Sequence, residues 1–518
     1  MPRPTAAKPG WPLIVAILLA ATLIRTLPLL DNRFHPDEAL YGSFARRIAS
    51  GQDPLLTGVL VDKPPLGFYL MAFGLLLGDA SHGELGARLP SLYASLVSVA
   101  LLFVLARRLY GQVAALVAAA LLAASPLAVL FAITLFLDPL LTAAVLWAFC
   151  AAARSRWRSL AVAMAIALAI KQTALVFVPL ALALSLLRLR PGTAARQVLT
   201  HLWGGVQRLA PALALSAVAI FSWDAARHPV IGLWRQGHAD NMPGRLVRAN
   251  EVTPRALAWA GLLHYTTAST ALNGLAVAGL AGLLIAGARR PSRAALADGL
   301  LAGYALLYLG AYWLLAFNVW DRYLLPLLPV LCLLTARSWL WLAARVLGWL
   351  RPRAGPSLAR LALAGLAVLL GVSLLPGAVH AARSGYPVGG DHGAYDGVDD
   401  AARFLSGLPE GSVLYDHWLS WQWNFYLFEA PVYVAWLPSP DVFAADLQAF
   451  GSKSPRYLVV PSWEQDSELR AAAAGAGYTF VARHYSYRRD GSLSLTVYEL
   501  APTHPATLQA TGLHDDSP

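Results

Sequence analysis

Residues 31–70 read DNRFHPDEALYGSFARRIASGQDPLLTGVLVDKPPLGFYL, and the interpretation of the chain turns on this stretch. It is polar, it follows the apolar run Trp11–Leu30, and it carries acids in a chain otherwise poor in charge. Asp37 and Glu38 are adjacent, and Asp62-Lys63 stands directly before Pro64-Pro65. Such a loop is either the working face of a membrane enzyme or a solvated connector. Leu40, Tyr41, Phe44 and Ile48 recur at helical spacing with Arg46-Arg47 on the other side, which predicts a short helix lying in the interface. Asp37 stands at its start, where a carboxylate favours the helix dipole and can cap free N–H groups. Capping by Asp37 leaves Glu38 and His35 unexplained. After the prolines, Leu66–Leu77 predicts a second interfacial or half-inserted helix.

Outward from this loop the chain is apolar. Its 518 residues are 57% hydrophobic and 13% charged, with a mean hydropathy of +0.54. A soluble protein of this length carries more polar surface. Runs of about 20 apolar residues, each long enough for a bilayer of roughly 30 Å, predict a polytopic α-helical membrane protein with about eleven transmembrane helices. The expected spans are Trp11–Leu30, Gly86–Leu109, Gln112–Leu130, Phe136–Ala153, Ser159–Ile170 and Thr173–Leu187. Gly205–Trp223, Leu263–Ala288, Ala295–Phe317, Tyr323–Leu342 and Leu361–Pro376 complete the set. The first span keeps Arg25 near its end and lacks a small-residue cleavage site, so it reads as a retained anchor. Cys150 and Cys332 both lie in apolar runs, which leaves no disulfide framework and no zinc motif.

The net charge of +11 is explained by topology, not by nucleic acid. With the N-terminus (Arg3, Lys8) in the cytoplasm, the inner loops hold Arg107-Arg108, Arg154, Arg156, Arg158, Arg188, Arg190, Arg196, Arg289-Arg290, Arg293, Arg351, Arg353 and Arg360. The opposite, extracytoplasmic loops hold Asp37, Glu38, Asp62, Glu84, Asp138, Asp224, Glu251 and Asp321. This predicts a multi-pass protein of the plasma (inner) membrane. Its long outer loop 224–262 either covers a site or merely connects spans. Residues 1–379 form the expected transmembrane domain, with 31–85 as its first extracytoplasmic loop. Residues 380–500 form a small extracytoplasmic α/β domain, and 501–518 a disordered tail. Within that domain strands are expected at Ser412–Asp416, Pro431–Trp436, Arg456–Val460, Tyr478–Tyr487 and Ser492–Leu500. Trp418, Trp421 and Trp423 with Tyr415 and Tyr426 form an aromatic stretch that either binds sugar, rests on the membrane surface or packs in the domain's core, and core packing is the expectation.

The outer-face motifs HPDEALYG, DKPPLGFYL, Glu84 with GARLPS, Phe136-Leu137-Asp138-Pro139 and DRYLLPLLP together resemble the GT-C superfamily of membrane glycosyltransferases. The resemblance covers about Trp11–Pro329. It is nearest to the bacterial branch similar to protein O-mannosyltransferases and the lipid A aminoarabinose transferase. It implies a GT-C transmembrane fold and transfer of a sugar from a polyprenyl-phosphate-linked donor to a hydroxyl acceptor on a lipid, glycan or protein. Asp37 matches the family's catalytic acid and is implied as the general base that takes the acceptor's proton, with Glu38 orienting it or the acceptor. Lys63 falls on the family's KPP lysine and is implied to face the leaving phosphate. Arg322 with Tyr323 is the second choice for that phosphate, against an interfacial snorkelling arginine, and Lys171 the third. Asp138 either holds Lys63 or the acceptor, or starts a helix. Asp62, His35 and Glu84 are further candidates to orient substrate.

One displacement with one base inverts the anomeric centre, whereas retention needs two carboxyls facing across the bond. Neighbouring Asp37 and Glu38 fit that poorly, so inversion is expected. No metal is expected, since no His pair or Cys set marks a site. Were a divalent ion needed, Asp62, His35, His238 and Glu84 are on the right face. The rival reading is a transporter or flippase for a lipid-linked or anionic substrate. Transporters place charge near the midplane, often with a repeated half; here the charges lie at outer span ends.

Overall fold

The computed structural model describes residues 11–29, 31–77, 83–189, 193–242, 244–390 and 393–503, with backbone alone for 350–364, 366–368 and 370. The basic N-terminal residues Arg3 and Lys8, and the expected tail from residue 504 onward, lie outside the described residues. The chain forms two compact units. One comprises Met1–Asp31 and Phe44–His392, the other Asn32–Ser43 and Gly393–Pro518.

The first unit is helical. Gly83–Tyr110, Ala195–Ala226, Thr270–Arg289, Arg293–Leu314 and Leu328–Trp349 are each long and apolar enough to cross a membrane. Shorter apolar helices stand at Trp11–Thr26, Leu66–Leu77, Gln112–Ala124, Asp138–Ala152, Trp157–Ile170 and Gln172–Leu186. Close packing between them uses small residues. A Cβ on Gly74 would collide with the carbonyl oxygen of Gly86 where Leu66–Leu77 meets Gly83–Tyr110.

Local chemistry moves several expected boundaries. The run Gln112–Leu130 is two helices, Gln112–Ala124 and Pro126–Phe131. Pro126 has no N–H and drives Ser125 into an extended conformation, φ −63° and ψ 125°. The break frees carbonyls at the end of the first helix, and Arg25 takes them. Its buried guanidinium donates to Ala123 O at 2.8 Å, Leu122 O at 3.2 Å and Ser95 Oγ at 2.9 Å. The run Leu263–Ala288 begins late, at Thr270, because Ser269 caps the helix by accepting from Leu272 N–H. The spans expected at Tyr323–Leu342 and Leu361–Pro376 are joined in one 55-residue helix, Leu328–Ala382. At 1.5 Å per residue it is about 80 Å long, more than twice a bilayer core. Its two apolar stretches are Leu328–Trp349 and Gly371–Ala382.

The second unit is an α/β layer structure. Strands β1 (Ser412–Asp416), β2 (Val432–Trp436), β3 (Arg456–Pro461), β4 (Tyr478–Tyr487) and β5 (Leu493–Pro502) lie in the order β2-β1-β3-β5-β4. β1 is parallel to β2 and β3; β5 is antiparallel to β3 and β4. A short helix unexpected from the sequence, Ser420–Tyr426, follows β1. Tyr415 and Trp423 are buried, Trp418 and Tyr426 pack against the core, and Trp421 is exposed.

Candidate functional site

The acid pair sits on the helix Pro36–Ala49, and its first turn is organised by two side chains. The Glu38 carboxylate accepts the His35 backbone N–H at 3.2 Å, and His35 Nδ1 accepts the Asp37 backbone N–H at 3.2 Å. This is the reciprocal geometry of a capping box, with His35 in the place usually held by Ser or Thr and Pro36 in the first helical position. The cap expected from Asp37 is therefore made by Glu38 and His35, and Asp37 contributes its backbone N–H. The segment is anchored within its own unit by Phe34, which is fully buried and 4.7 Å, centroid to centroid, from Phe425. The Phe34 N–H donates to the Tyr426 hydroxyl at 3.0 Å. Gly42 passes so near Phe425 that a Cβ there would come within 2.9 Å of its ring.

Within the first unit, three cations converge. Lys171 lies at the break between Trp157–Ile170 and Gln172–Phe177, in extended conformation. Its buried ammonium donates to both oxygens of Asp138, at 2.7 and 2.8 Å. Asp138 begins its own helix and holds Lys171, not Lys63. Lys63 is paired instead with its neighbour Asp62. Burial draws the Lys171 pKa below the ordinary lysine value; Asp138 opposes this, while the charges of Arg322 and Lys63 reinforce it. Three cations therefore share one region. Lys171 lies 5.5 Å from the centroid of the Tyr323 ring, and the Arg322 guanidinium lies over Phe136 at 4.9 Å and Trp320 at 5.5 Å. Asp321 accepts the Gly389 N–H at 2.6 Å and so acts as a backbone anchor.

Lys63, Lys171 and Tyr323 open on one cavity of about 500 Å³, the size of a small-molecule site. Tyr308 and Tyr312 stack at 4.7 Å and form its aromatic wall. Val176, Met242, Leu315 and Phe317 add apolar surface. Part of the long loop 224–262 folds as the helix Leu233–Asn241, whose Trp234, His238 and Asn241 line the same cavity. Asn241 donates to Asp62 at 3.3 Å and accepts from the Tyr323 hydroxyl at 3.4 Å. Gln172 donates to the Asp62 carbonyl at 3.0 Å. Of the residues singled out from sequence in the first unit, Lys63, Lys171, Tyr323 and His238 line the cavity, and Asp62, Asp138, Arg322 and Glu84 do not; Glu84 pairs with Arg88 at 3.3 Å, and Arg88 donates to Leu29 O at 2.7 Å. Sequence reading missed Asn241, Gln172, Tyr308 and Tyr312. The tyrosines' spacing of four along one helix was the available signal. Among the described residues no group of three His, Cys, Asp or Glu side chains could hold a metal ion.

A family model described as dolichyl-phosphate-mannose-protein mannosyltransferase matches residues 62–219, a stretch that begins at Asp62-Lys63 and includes Asp138 and Lys171. Among solved structures, ArnT from Cupriavidus metallidurans bound to undecaprenyl phosphate superposes with a TM-score of 0.58 at 18% identity, over 95% of this chain and 98% of that one. The apo state of the same protein gives 0.57 at 20% identity, over 95% and 98%. The Archaeoglobus fulgidus oligosaccharyltransferase tethered to an acceptor peptide containing the NVT sequon gives 0.53 at 14% identity, over 96% of this chain and 75% of that one. No match is found among curated protein sequences. In fold over nearly its whole length, and in sequence over residues 62–219, the chain resembles the GT-C membrane glycosyltransferases of the mannosyltransferase and aminoarabinose transferase type.

Proposed function

We propose that this protein is a glycosyltransferase that moves a sugar from a polyprenyl-phosphate-linked donor to a hydroxyl acceptor on the extracytoplasmic face. The observation that carries the proposal is the convergence of Lys63, Lys171 and Tyr323 on a cavity whose remaining walls are mainly apolar and aromatic, with Gln172, Thr173, His238 and Asn241 as their polar members. A lipid phosphate needs such a combination: cations for its oxygens and greasy walls for its chain. The ArnT relative bound to undecaprenyl phosphate supports the same class of donor. The bias of the basic loops supports a cytoplasmic N-terminus, and residues 380–500 are placed on the extracytoplasmic side.

The roles divide as follows. Asp37 takes the acceptor's proton as the hydroxyl oxygen attacks the anomeric carbon. The bond to the phosphate oxygen breaks, and its electrons leave with the lipid phosphate. Lys63, with Lys171 and Arg322 behind it, stabilises the charge that develops there. Glu38 and His35 are positioning residues that hold the turn carrying Asp37. Asp62 and Asp138 hold Lys63 and Lys171. A single displacement gives inversion. The test is turnover by the purified protein with a panel of polyprenyl-phosphate sugars, beside Asp37→Asn and Lys63→Ala. Asp37→Asn is expected to bind donor and fail to turn over, and Lys63→Ala to lose donor binding. Product with the donor's own anomeric configuration would refute inversion. Passage of a lipid-linked substrate across liposomes at a rate indifferent to Asp37 would favour the transporter reading.

A further inference from the structure

A second cavity, of about 530 Å³, lies at the opposite, basic end of the first unit. One wall is the first helix, Trp11–Thr26, which presents Ile14, Val15 and Leu18. The facing wall is the last turns of Gly83–Tyr110, with Ala100, Phe103 and Val104. At the mouth stand Arg107 and Arg108, and Arg154 joins them from the turn after Asp138–Ala152. All three arginines are exposed. Among the described residues, no hydrogen bond or ion pair to any of the three guanidinium groups is found. Trp11, 60% exposed, stands at the same level, where an amphipathic ring suits the membrane–water boundary.

The two walls run the same way. From Trp11 to Leu18, and from Arg107 back to Ala100, both helices lead away from the arginines for seven residues, about 10 Å at helical rise. The groove is therefore graded, with cations at its mouth and only apolar side chains below. Basic residues are common on this face, and a positive-inside bias explains their presence. It does not explain why two separate turns deliver three arginines to the head of one apolar groove. A free phosphate would use the mouth and leave the groove empty, and an apolar chain would leave the arginines without a counterion. An anionic amphiphile matches both parts.

We infer that this groove binds one anionic phospholipid of the leaflet on the basic side, its phosphodiester held by Arg107, Arg108 and Arg154 and an acyl chain laid between the two helices. The inference is independent of the proposed transferase activity.

The test is native mass spectrometry of the full-length protein released from detergent, with phosphatidylglycerol or phosphatidylcholine added. The parent is expected to retain one phosphatidylglycerol preferentially. The triple variant Arg107→Gln/Arg108→Gln/Arg154→Gln is expected to lose that preference by about a hundredfold, each arginine contributing about fivefold. Arg289→Gln/Arg290→Gln/Arg293→Gln removes as much charge from the same face and is expected to keep it. A second variant, Ala100→Phe, fills the groove with every arginine in place and is expected to lose the lipid too. Millimolar inorganic phosphate is expected not to displace it. Equal loss in both triple variants, retention in Ala100→Phe, or displacement by phosphate would each overturn the assignment.

Discussion

Asp138→Asn is the sharpest probe of the cation cluster, because it removes a charge and keeps the shape. In the parent, both oxygens of Asp138 lie within 2.8 Å of the Lys171 ammonium, and the two side chains are 3% and 6% exposed. Without Asp138 the ammonium has two outcomes. Remaining charged and unpaired in a buried site costs about 3–5 kcal/mol. Releasing its proton at pH 7.4 costs about 4 kcal/mol, from an ordinary lysine pKa of about 10.4 at about 1.4 kcal/mol per pH unit. The smaller cost sets the result, so a loss of about 3–4 kcal/mol is expected at pH 7.4. The sign with pH then follows. Burial holds the folded-state Lys171 pKa below the unfolded value, so between the two the unfolded state binds more protons and stability rises with pH. At pH 9.5 the deficit should shrink to roughly 1 kcal/mol. Reversible denaturant unfolding in mild detergent, followed by tryptophan fluorescence at both pH values, reads this. Asp138→Asn/Lys171→Met should recover most of the loss, since removing both charges leaves nothing uncompensated. A deficit under about 1 kcal/mol at pH 7.4, a deficit unchanged at pH 9.5, or a double variant no better than the single one would refute the reasoning.

Three further outcomes are expected. Gly237→Ala puts a Cβ 2.7 Å from the Asp62 carbonyl oxygen and 2.9 Å from Gln172 Nε2; the helix Leu233–Asn241 must shift, at about 1–3 kcal/mol, and donor affinity by native mass spectrometry should fall at least about fivefold. Glu38→Ala removes half of the capping box, at about 1 kcal/mol, and should lower kcat with little change in donor binding, whereas Glu38→Gln, which can still accept the His35 N–H, should keep most activity. Arg25→Leu leaves the carbonyls of Leu122 and Ala123 and the Ser95 hydroxyl without their donor, and should lower the thermal midpoint by an amount matching about 1–3 kcal/mol.

Much of the fold was legible because hydropathy and period report burial directly. The strand Ser412–Asp416 and the helix Asp138–Ala152 stand within two residues of expectation. The misplaced boundaries share a cause. A hydropathy run does not register a backbone break when the breaking residue is itself apolar, as Pro126 is, or when a capping Ser lies inside an apolar run, as Ser269 does. The helix Ser420–Tyr426 was hidden in the same way: its aromatic residues read as core whatever the backbone does, and the structure buries Trp423 while leaving Trp421 exposed. Asp37 and Glu38 are indistinguishable as letters. Their difference is one of position in a turn, where the third helical residue reaches back to the N–H before the helix and the second does not.

The acids that border the apolar spans are explained by their partners. Asp62 meets Lys63, Asp138 meets Lys171, Glu84 meets Arg88 and Asp224 meets Arg227. A carboxylate at the end of a span is costly alone and tolerable beside a cation. These pairs therefore serve both charges: the acid makes it feasible to keep a lysine at the membrane boundary, and the lysine is held in one direction. Three of the four partners are near neighbours in sequence. The fourth, Lys171, lies 33 residues from Asp138, across two helices, and no spacing rule links them. Lys171 lines the cavity, as Lys63 does. Under the proposed function, an arriving phosphate must share Lys63 and Lys171 with Asp62 and Asp138, and this competition favours a ligand of high charge density over a neutral lipid. Under that function, Asp62 and Asp138 thus contribute selectivity against neutral lipids even where they touch no substrate.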